Sequence, residues 1–189
     1  ETSMAETLII SLLFLLSLSV VLNLKLTLEL QALIKKELIP ENQHLELLPG
    51  EHLNDVQGHF LSGDPFLMFQ RSNASVLVFL SSRCPTCKLK LAEIEYVIPL
   101  AQQQNLDLWL ISNESHNRLL NFLPSTVLQQ NTIRLRRRSY LELNPTEQTP
   151  QYVFVTPEKE VQALGEIGDE NWSLLLEQLQ TEPETAQCA

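Results

Sequence analysis

The sequence predicts an α/β domain, a central mixed sheet flanked by helices, carried behind an N-terminal transmembrane helix. Three observations carry this reading. Residues 7–24 hold no charged side chain and are almost all Leu, Ile, Val, Phe and Ser; at helical rise such a run spans roughly 27 Å, close to the hydrocarbon core of a bilayer. From residue 75 onward, short β-branched apolar runs alternate with helix-length segments, the pattern of parallel strands joined by right-handed crossovers. At one of these junctions, within Ser75–Tyr96, stands Cys84-Pro85-Thr86-Cys87.

The 189 residues suffice for one domain plus an appendage: an anchor and helical stalk over 1–39, a folded domain over 40–180 and a disordered tail over 181–189. A formal net charge of −10 argues against a general nucleic-acid binder, which needs a basic surface. Three cysteines are too few for a disulfide scaffold. The chain opens on Glu1 and not on Met: either Met4 is the natural start, the preferred reading, or something upstream has been removed. The apolar run lacks the basic start and small-x-small exit of a cleaved signal peptide, so an uncleaved single span in the lipid bilayer is expected. Lys25–Ile39 continues the helix as a stalk, with Leu22, Leu26, Leu30 and Leu33 along one side, until Pro40 ends it. Lys25, Lys35 and Lys36 follow the span and no Lys or Arg precedes it; by charge alone the domain belongs in the cytoplasm.

Val76–Leu80 is short, β-branched and aromatic, as a strand buried on both faces should be. After Cys87 the pattern lengthens to helical spacing, with Leu89, Ala92 and Tyr96 expected on the apolar face. Pro85 suits the first helical turn, where its missing N–H is no loss. Cys84 then sits at a helix N-terminus, where free N–H groups and the dipole favour a thiolate. Cys87 is one turn on, within reach of a mixed disulfide formed at Cys84. This is the minimum for dithiol–disulfide exchange. Structural zinc needs about four ligands, whereas only Cys188 and the scattered His44, His52, His59 and His116 remain. Covalent haem would need His at position 88, which is Lys88. No metal and no organic cofactor is expected; the redox group is the Cys84–Cys87 disulfide.

Residues 41–74, rich in Pro, Gly, Asn and Asp, predict short strands and turns, with a hairpin pairing His59–Leu61 and Phe66–Phe69. Leu106–Ile111 reads as the next buried strand and Asn113–Phe122 as a helix stopped before Pro124. Thr132–Arg138 is the one basic cluster, expected as a solvated edge strand, with Arg134–Arg138 as a docking patch in the alternative reading. Thr149-Pro150 stands just before the apolar run Tyr152–Val155. Glu160–Gly165 reads as an antiparallel last strand. Asp169 caps a final helix with Trp172, Leu175, Leu176 and Leu179 toward the sheet.

The segment Phe79-Leu80-Ser81-Ser82-Arg83-Cys84-Pro85-Thr86-Cys87-Lys88 resembles the active site of membrane-tethered thioredoxin-like proteins, most closely the methylamine dehydrogenase accessory (maturation) type. The resemblance covers about residues 45–180. It implies a thioredoxin-like fold and thiol–disulfide oxidoreductase activity, with Cys84 attacking and Cys87 resolving. Pro150, preferred over Pro145, would be the cis-proline that, with Thr149, shapes the client groove beside Pro85 and Thr86. It further implies a client protein with cysteines or disulfides, such as a cysteine-rich dehydrogenase subunit, and a membrane redox partner. The location it implies is the bacterial inner membrane with the soluble domain in the periplasm, against the charge bias. The sequence departs from the pattern at Val78, where thioredoxin has a buried Asp, and at Arg83, where it has Trp. A cation at Arg83 is expected to favour the Cys84 thiolate and make the couple more oxidising than thioredoxin. A non-enzymatic assembly factor on the same scaffold, and a reductase in cytochrome c maturation, are the alternatives.

Overall fold

The computed structural model describes residues 2–38, 46–70 and 73–181, without the side chains of 2–11, 14 and 32–38. In chain order its elements are α1 (Thr2–Leu38), β1 (Gln57–Phe60), β2 (Pro65–Leu67), β3 (Ser75–Phe79), α2 (Pro85–Gln103), β4 (Asp107–Ser112), α3 (His116–Phe122), α4 (Thr126–Gln130), β5 (Thr132–Leu135), α5 (Arg137–Leu143), β6 (Gln151–Val155), β7 (Val161–Glu166) and α6 (Glu170–Gln180). They fall into two compact units, Glu1–Asn42 and Gln43–Ala189.

The first unit holds α1, which runs unbroken through the expected span and along the stalk as far as Leu38. Its described apolar side chains, Leu12 to Leu30, are exposed all along the helix. Among the described residues no helix is long and apolar enough to cross a membrane; residues 7–11 and 14 of the apolar run lie outside that statement, because their side chains are not described. The expected stop at Pro40 and the tail with Cys188 also lie outside the described residues.

The second unit is built on a seven-stranded mixed sheet in the order β2-β1-β5-β4-β3-β6-β7. β3, β4 and β5 run parallel, with Val78 opposite Leu110 and Ile111 opposite Ile133, while the other pairings are antiparallel. All five residues of β3 are buried because layers cover both faces of the sheet. Val76 and Val78 join one core with α2, α3, α4 and α6 residues; Leu77 and Phe79 join a second with Tyr140 and Leu143 of α5 and with Leu47, Leu53 and Val56. The period-2 alternation of a strand therefore distributes one apolar run between two cores.

Two expectations are corrected. The buried face of α2 is Cys87, Leu91, Ile94, Val97, Ile98 and Ala101, while Leu89 is 80% and Tyr96 57% exposed and Ala92 is exposed as well. Cys87, Leu91, Ile94, Ile98 and Ala101 step by four, three, four and three, one continuous helical face, so Cys87 sets the phase. The basic stretch is not an edge strand. β5 lies inside the sheet between β1 and β4, with Thr132, Ile133 and Leu135 buried, and from Arg137 the chain is helical.

The hairpin β1–β2 forms as expected and extends the sheet through β1–β5. Gly58 permits this: a Cβ there would meet the Ile133 and Leu135 side chains at 2.6 and 2.7 Å. α3 begins at His116, three residues later than expected, leaving 113–115 as a loop. In α6 the expected cap is present, with the Trp172 N–H donating to Asp169 Oδ1 at 2.8 Å and Trp172 fully buried.

Candidate active site

Chain direction places the cysteines. β3 runs up the middle of the sheet and delivers Ser81–Arg83 as a turn, in which the Cys84 N–H donates to the Ser81 carbonyl at 3.1 Å. Cys84 is extended (φ −89°, ψ 114°) and is the N-cap of α2, its sulfur accepting from the Cys87 N–H at 3.2 Å. Pro85 opens the helix. Both thiols are free. Cys84 is half-buried and Cys87 is 0% exposed, in the core below it.

The second wall is the start of β6. Phe79 stands opposite Gln151, which sets the preceding residue, Pro150, beside the cysteine turn. The Thr149–Pro150 peptide is cis, and the Thr149 carbonyl accepts from Cys84 Sγ at 3.2 Å. Structure thus brings together Cys84, Cys87, Thr149 and Pro150, with Pro85 and Thr86 exposed at the rim. Arg83 is exposed, and its guanidinium has no hydrogen-bond or ion-pair partner among the described residues.

The two thiols are driven apart in acidity. Burial alone pushes the Cys84 thiol up, but hydrogen bonds from Cys87, from the Thr149 side chain and from the Thr86 backbone outweigh it, and the thiol lies below its ordinary value. Arg83 is not among these groups, so the lowering comes from hydrogen bonds where a nearby cation was expected. For Cys87, burial and then the hydrogen bond to Cys84 act together, and its thiol is pushed up to about 12. The outer sulfur is therefore the one disposed to ionise, and the inner one holds its proton.

One residue of the site escaped the sequence reading. Glu114, in the loop after β4, accepts from the Ser81 hydroxyl at 2.7 Å, from the Ser82 N–H at 3.1 Å and from the Ser82 hydroxyl. It braces the turn that presents Cys84. Its partners lie 32 and 33 residues away in sequence, and the only local signal is an acid between serines just past a buried strand. Val78, where a buried carboxylate would stand in thioredoxin, is 0% exposed in the core. Among the described residues no group of His, Cys, Asp and Glu could hold a metal ion. A cavity of about 470 Å³ lies at the other end of β3 and β6, lined by Ser75, Val155 and Leu179 among others and by no titratable side chain.

Two arginines of the basic cluster are paired at the surface. Arg137 pairs with Glu147 through both nitrogens, and Arg138 with Glu142 at 3.5 Å. Arg134 lies on β5 opposite His59, and Arg136 precedes α5 as its N-cap.

No family model and no curated protein matches the chain. Solved structures do. The thioredoxin domain of a thiol-disulfide oxidoreductase from Bacteroides vulgatus superposes with a TM-score of 0.61 at 15% identity, covering 71% of this chain and 99% of that one. A thiol:disulfide interchange protein from a Bacteroides species gives 0.62 at 14%, covering 75% and 96%. A thiol:disulfide interchange protein of the thioredoxin family from Chlorobium tepidum gives 0.57 at 13%, covering 71% and 98%. The chain has a thioredoxin-like fold.

Proposed function

We propose that this chain is a thiol–disulfide oxidoreductase, anchored in the bacterial inner membrane by α1 and acting on a cysteine-bearing client on the periplasmic side. The observation that carries the reading is the split in acidity between Cys84 and Cys87 across one turn of helix, beside a cis-proline loop. Thiolate is the attacking species in exchange. Cys84 S⁻ attacks one sulfur of a client disulfide, the S–S bond breaks, and the other client sulfur leaves as thiolate. Cys87 then gives up its proton and attacks Cys84 Sγ; the mixed disulfide breaks and the client leaves reduced. Two electrons have passed to the client, and a membrane redox partner must return them; the reverse sequence oxidises a client dithiol. A Cys84 thiol below its ordinary value stabilises the reduced form and makes the disulfide a better oxidant than one whose thiol is unperturbed.

Anchoring is supported by the uncharged run 7–24 and by the described apolar side chains of α1 from Leu12 to Leu24, which fall on all sides of the helix rather than along one stripe. The finer reading, maturation of a cysteine-rich dehydrogenase subunit such as methylamine dehydrogenase, is supported by the residues around Cys84-Pro85-Thr86-Cys87. A reductase of cytochrome c maturation fits the same chemistry with a different client. The competing assembly-factor reading draws on Val78 and on there being no carboxylate, among the described residues, in the leading influences on either thiol.

The test is mixed-disulfide trapping in native membranes. A Cys87→Ala variant cannot release its client, so acid quenching, alkylation and non-reducing electrophoresis should show adducts that the Cys84→Ala/Cys87→Ala control lacks, with Cys188 replaced in both. Mass spectrometry of the adducts names the client. Absence of adducts from a folded, expressed protein overturns the enzymatic reading in favour of the assembly factor.

A further inference from the structure

Asn144 lies at the end of α5, 1% exposed. Its Nδ2 donates to the Tyr140 hydroxyl at 3.2 Å and to the Gln148 carbonyl at 2.9 Å, and its Oδ1 accepts from the Thr146 hydroxyl at 3.3 Å. Its backbone N–H donates to the Tyr140 carbonyl at 2.8 Å, and its carbonyl accepts from the Glu147 N–H at 3.2 Å. Every polar atom of a buried residue is in use, an arrangement that fixes its surroundings as long as it is complete.

Both ends of this network reach the site. Tyr140 sets its ring edge-on to Phe79, centroids 5.6 Å apart, at the last residue of β3. Gln148 immediately precedes Thr149, whose carbonyl meets Cys84 Sγ and whose side chain acts on both thiols. Beyond the burial of Pro150 and the contact of Cys84 Sγ with the Thr149 carbonyl, segment 145–150 has few polar contacts to hold it. Pro145 and Pro150 carry no N–H, and the Arg137–Glu147 pair is 51% and 42% exposed, where ion pairs are weak. Among the described residues, Asn144 is the one buried side chain that hydrogen-bonds the backbone of this segment.

We propose that Asn144 is a positioning residue for the cysteine pair: by fixing the Gln148 carbonyl it holds Thr149 against Cys84 and Cys87. The proposal rests on the reading of Cys84 as the attacking thiol. It acts through the loop alone, since Asn144 touches neither sulfur.

The experiment measures Cys84 alkylation by iodoacetamide against pH in the reduced, full-length protein, with Cys188→Ser removing the third thiol and peptide mass spectrometry assigning the site. Asn144→Asp keeps the size and one oxygen but replaces both donors. Asn144→Ala removes all three contacts. Each should change the Cys84 alkylation rate at pH 7 roughly threefold to tenfold, the size of a half-unit to one-unit shift in its pKa. Leu179→Val, a mild truncation in α6, should leave the profile unchanged. Folded Asn144 variants with the original profile overturn the proposal, and so does an equal change in Leu179→Val, which would mark general loosening. If the variants do not fold, the wild-type protein decides: the Asn144 side-chain amide resonance should shift in step with Cys84 ionisation, and a flat response overturns the proposal. Alkylation reads ionisation and trapping reads exchange, so either can fail without the other.

Discussion

Glu114→Ala removes the brace under the cysteine turn. The carboxylate accepts three hydrogen bonds, two from hydroxyls and one from a backbone N–H. A hydrogen bond to a charged group contributes about 1.5–3 kcal/mol when buried. Glu114 and both serines are only half-buried, so about half of the summed value survives, roughly 2–4 kcal/mol. Urea unfolding followed by far-UV circular dichroism measures it: with a slope of about 1–3 kcal/mol per molar, the midpoint should fall by roughly 1–2 M at unchanged slope. Glu114→Gln keeps one acceptor and should lose about half as much. Glu114→Ala combined with Ser82→Ala should lose less than the sum of the two, because they share a contact. A loss below about 0.5 kcal/mol for Glu114→Ala, the range of ordinary surface substitutions, would refute the brace.

Gly165→Ala should destabilise by roughly 2–4 kcal/mol in the same assay, since the new Cβ would collide with Asp169 Oδ2 and meet the Tyr152 hydroxyl at 2.7 Å, breaking both the Tyr152–Asp169 hydrogen bonds and the cap of α6. For pH, Cys87 is raised from 9.0 to about 12, so between those values the unfolded thiol ionises while the folded one stays protonated. Its contribution to stability is whole below pH 9 and is lost as pH rises toward 12. Urea midpoints of the reduced protein should fall over that window, and Cys87→Ser should remove the part of the fall that begins near pH 9. Arg137→Ala should change stability by only about 0–1 kcal/mol, because its pair with Glu147 is largely exposed; thermal melts at low and high salt check this.

Strand β3, the cysteine turn, the Pro150 loop and helix α6 were readable in the sequence because each depends on neighbours along the chain: an apolar run, a C-x-x-C, a proline before a strand, an Asp three residues before Trp172. The phase of α2 was not. Leu89, Ala92 and Tyr96 make a plausible apolar stripe, but the buried face is set by where Cys87 meets the sheet, a tertiary fact. The helices α4 and α5 have five and seven residues, too few for periodicity to declare itself. β5 was misjudged for a related reason. Its arginines read as solvent-facing, yet only Arg134 lies within the strand, and Thr132 is buried with its hydroxyl donating to the Leu128 carbonyl at 2.6 Å. Glu114 is silent because its partners lie a strand and a helix away. Asn144 has its partners within four residues, at Tyr140, Thr146 and Gln148, but no local pattern specifies the loop shape that turns them onto one amide.

Cys87 has no surface of its own, and that decides how the pair ages. A small diffusing oxidant meets Cys84 first and converts its thiolate to a sulfenic acid. Further oxidation there, to sulfinic acid, is irreversible damage. The inner thiol one turn below offers another course: it condenses with the sulfenic acid, one water leaves, and the product is the Cys84–Cys87 disulfide. Because the core keeps the oxidant from Cys87, that thiol is still intact when it is needed. The burial that slows Cys87 as a nucleophile also preserves it as a reserve, so oxidative injury ends in a state that a single reduction repairs.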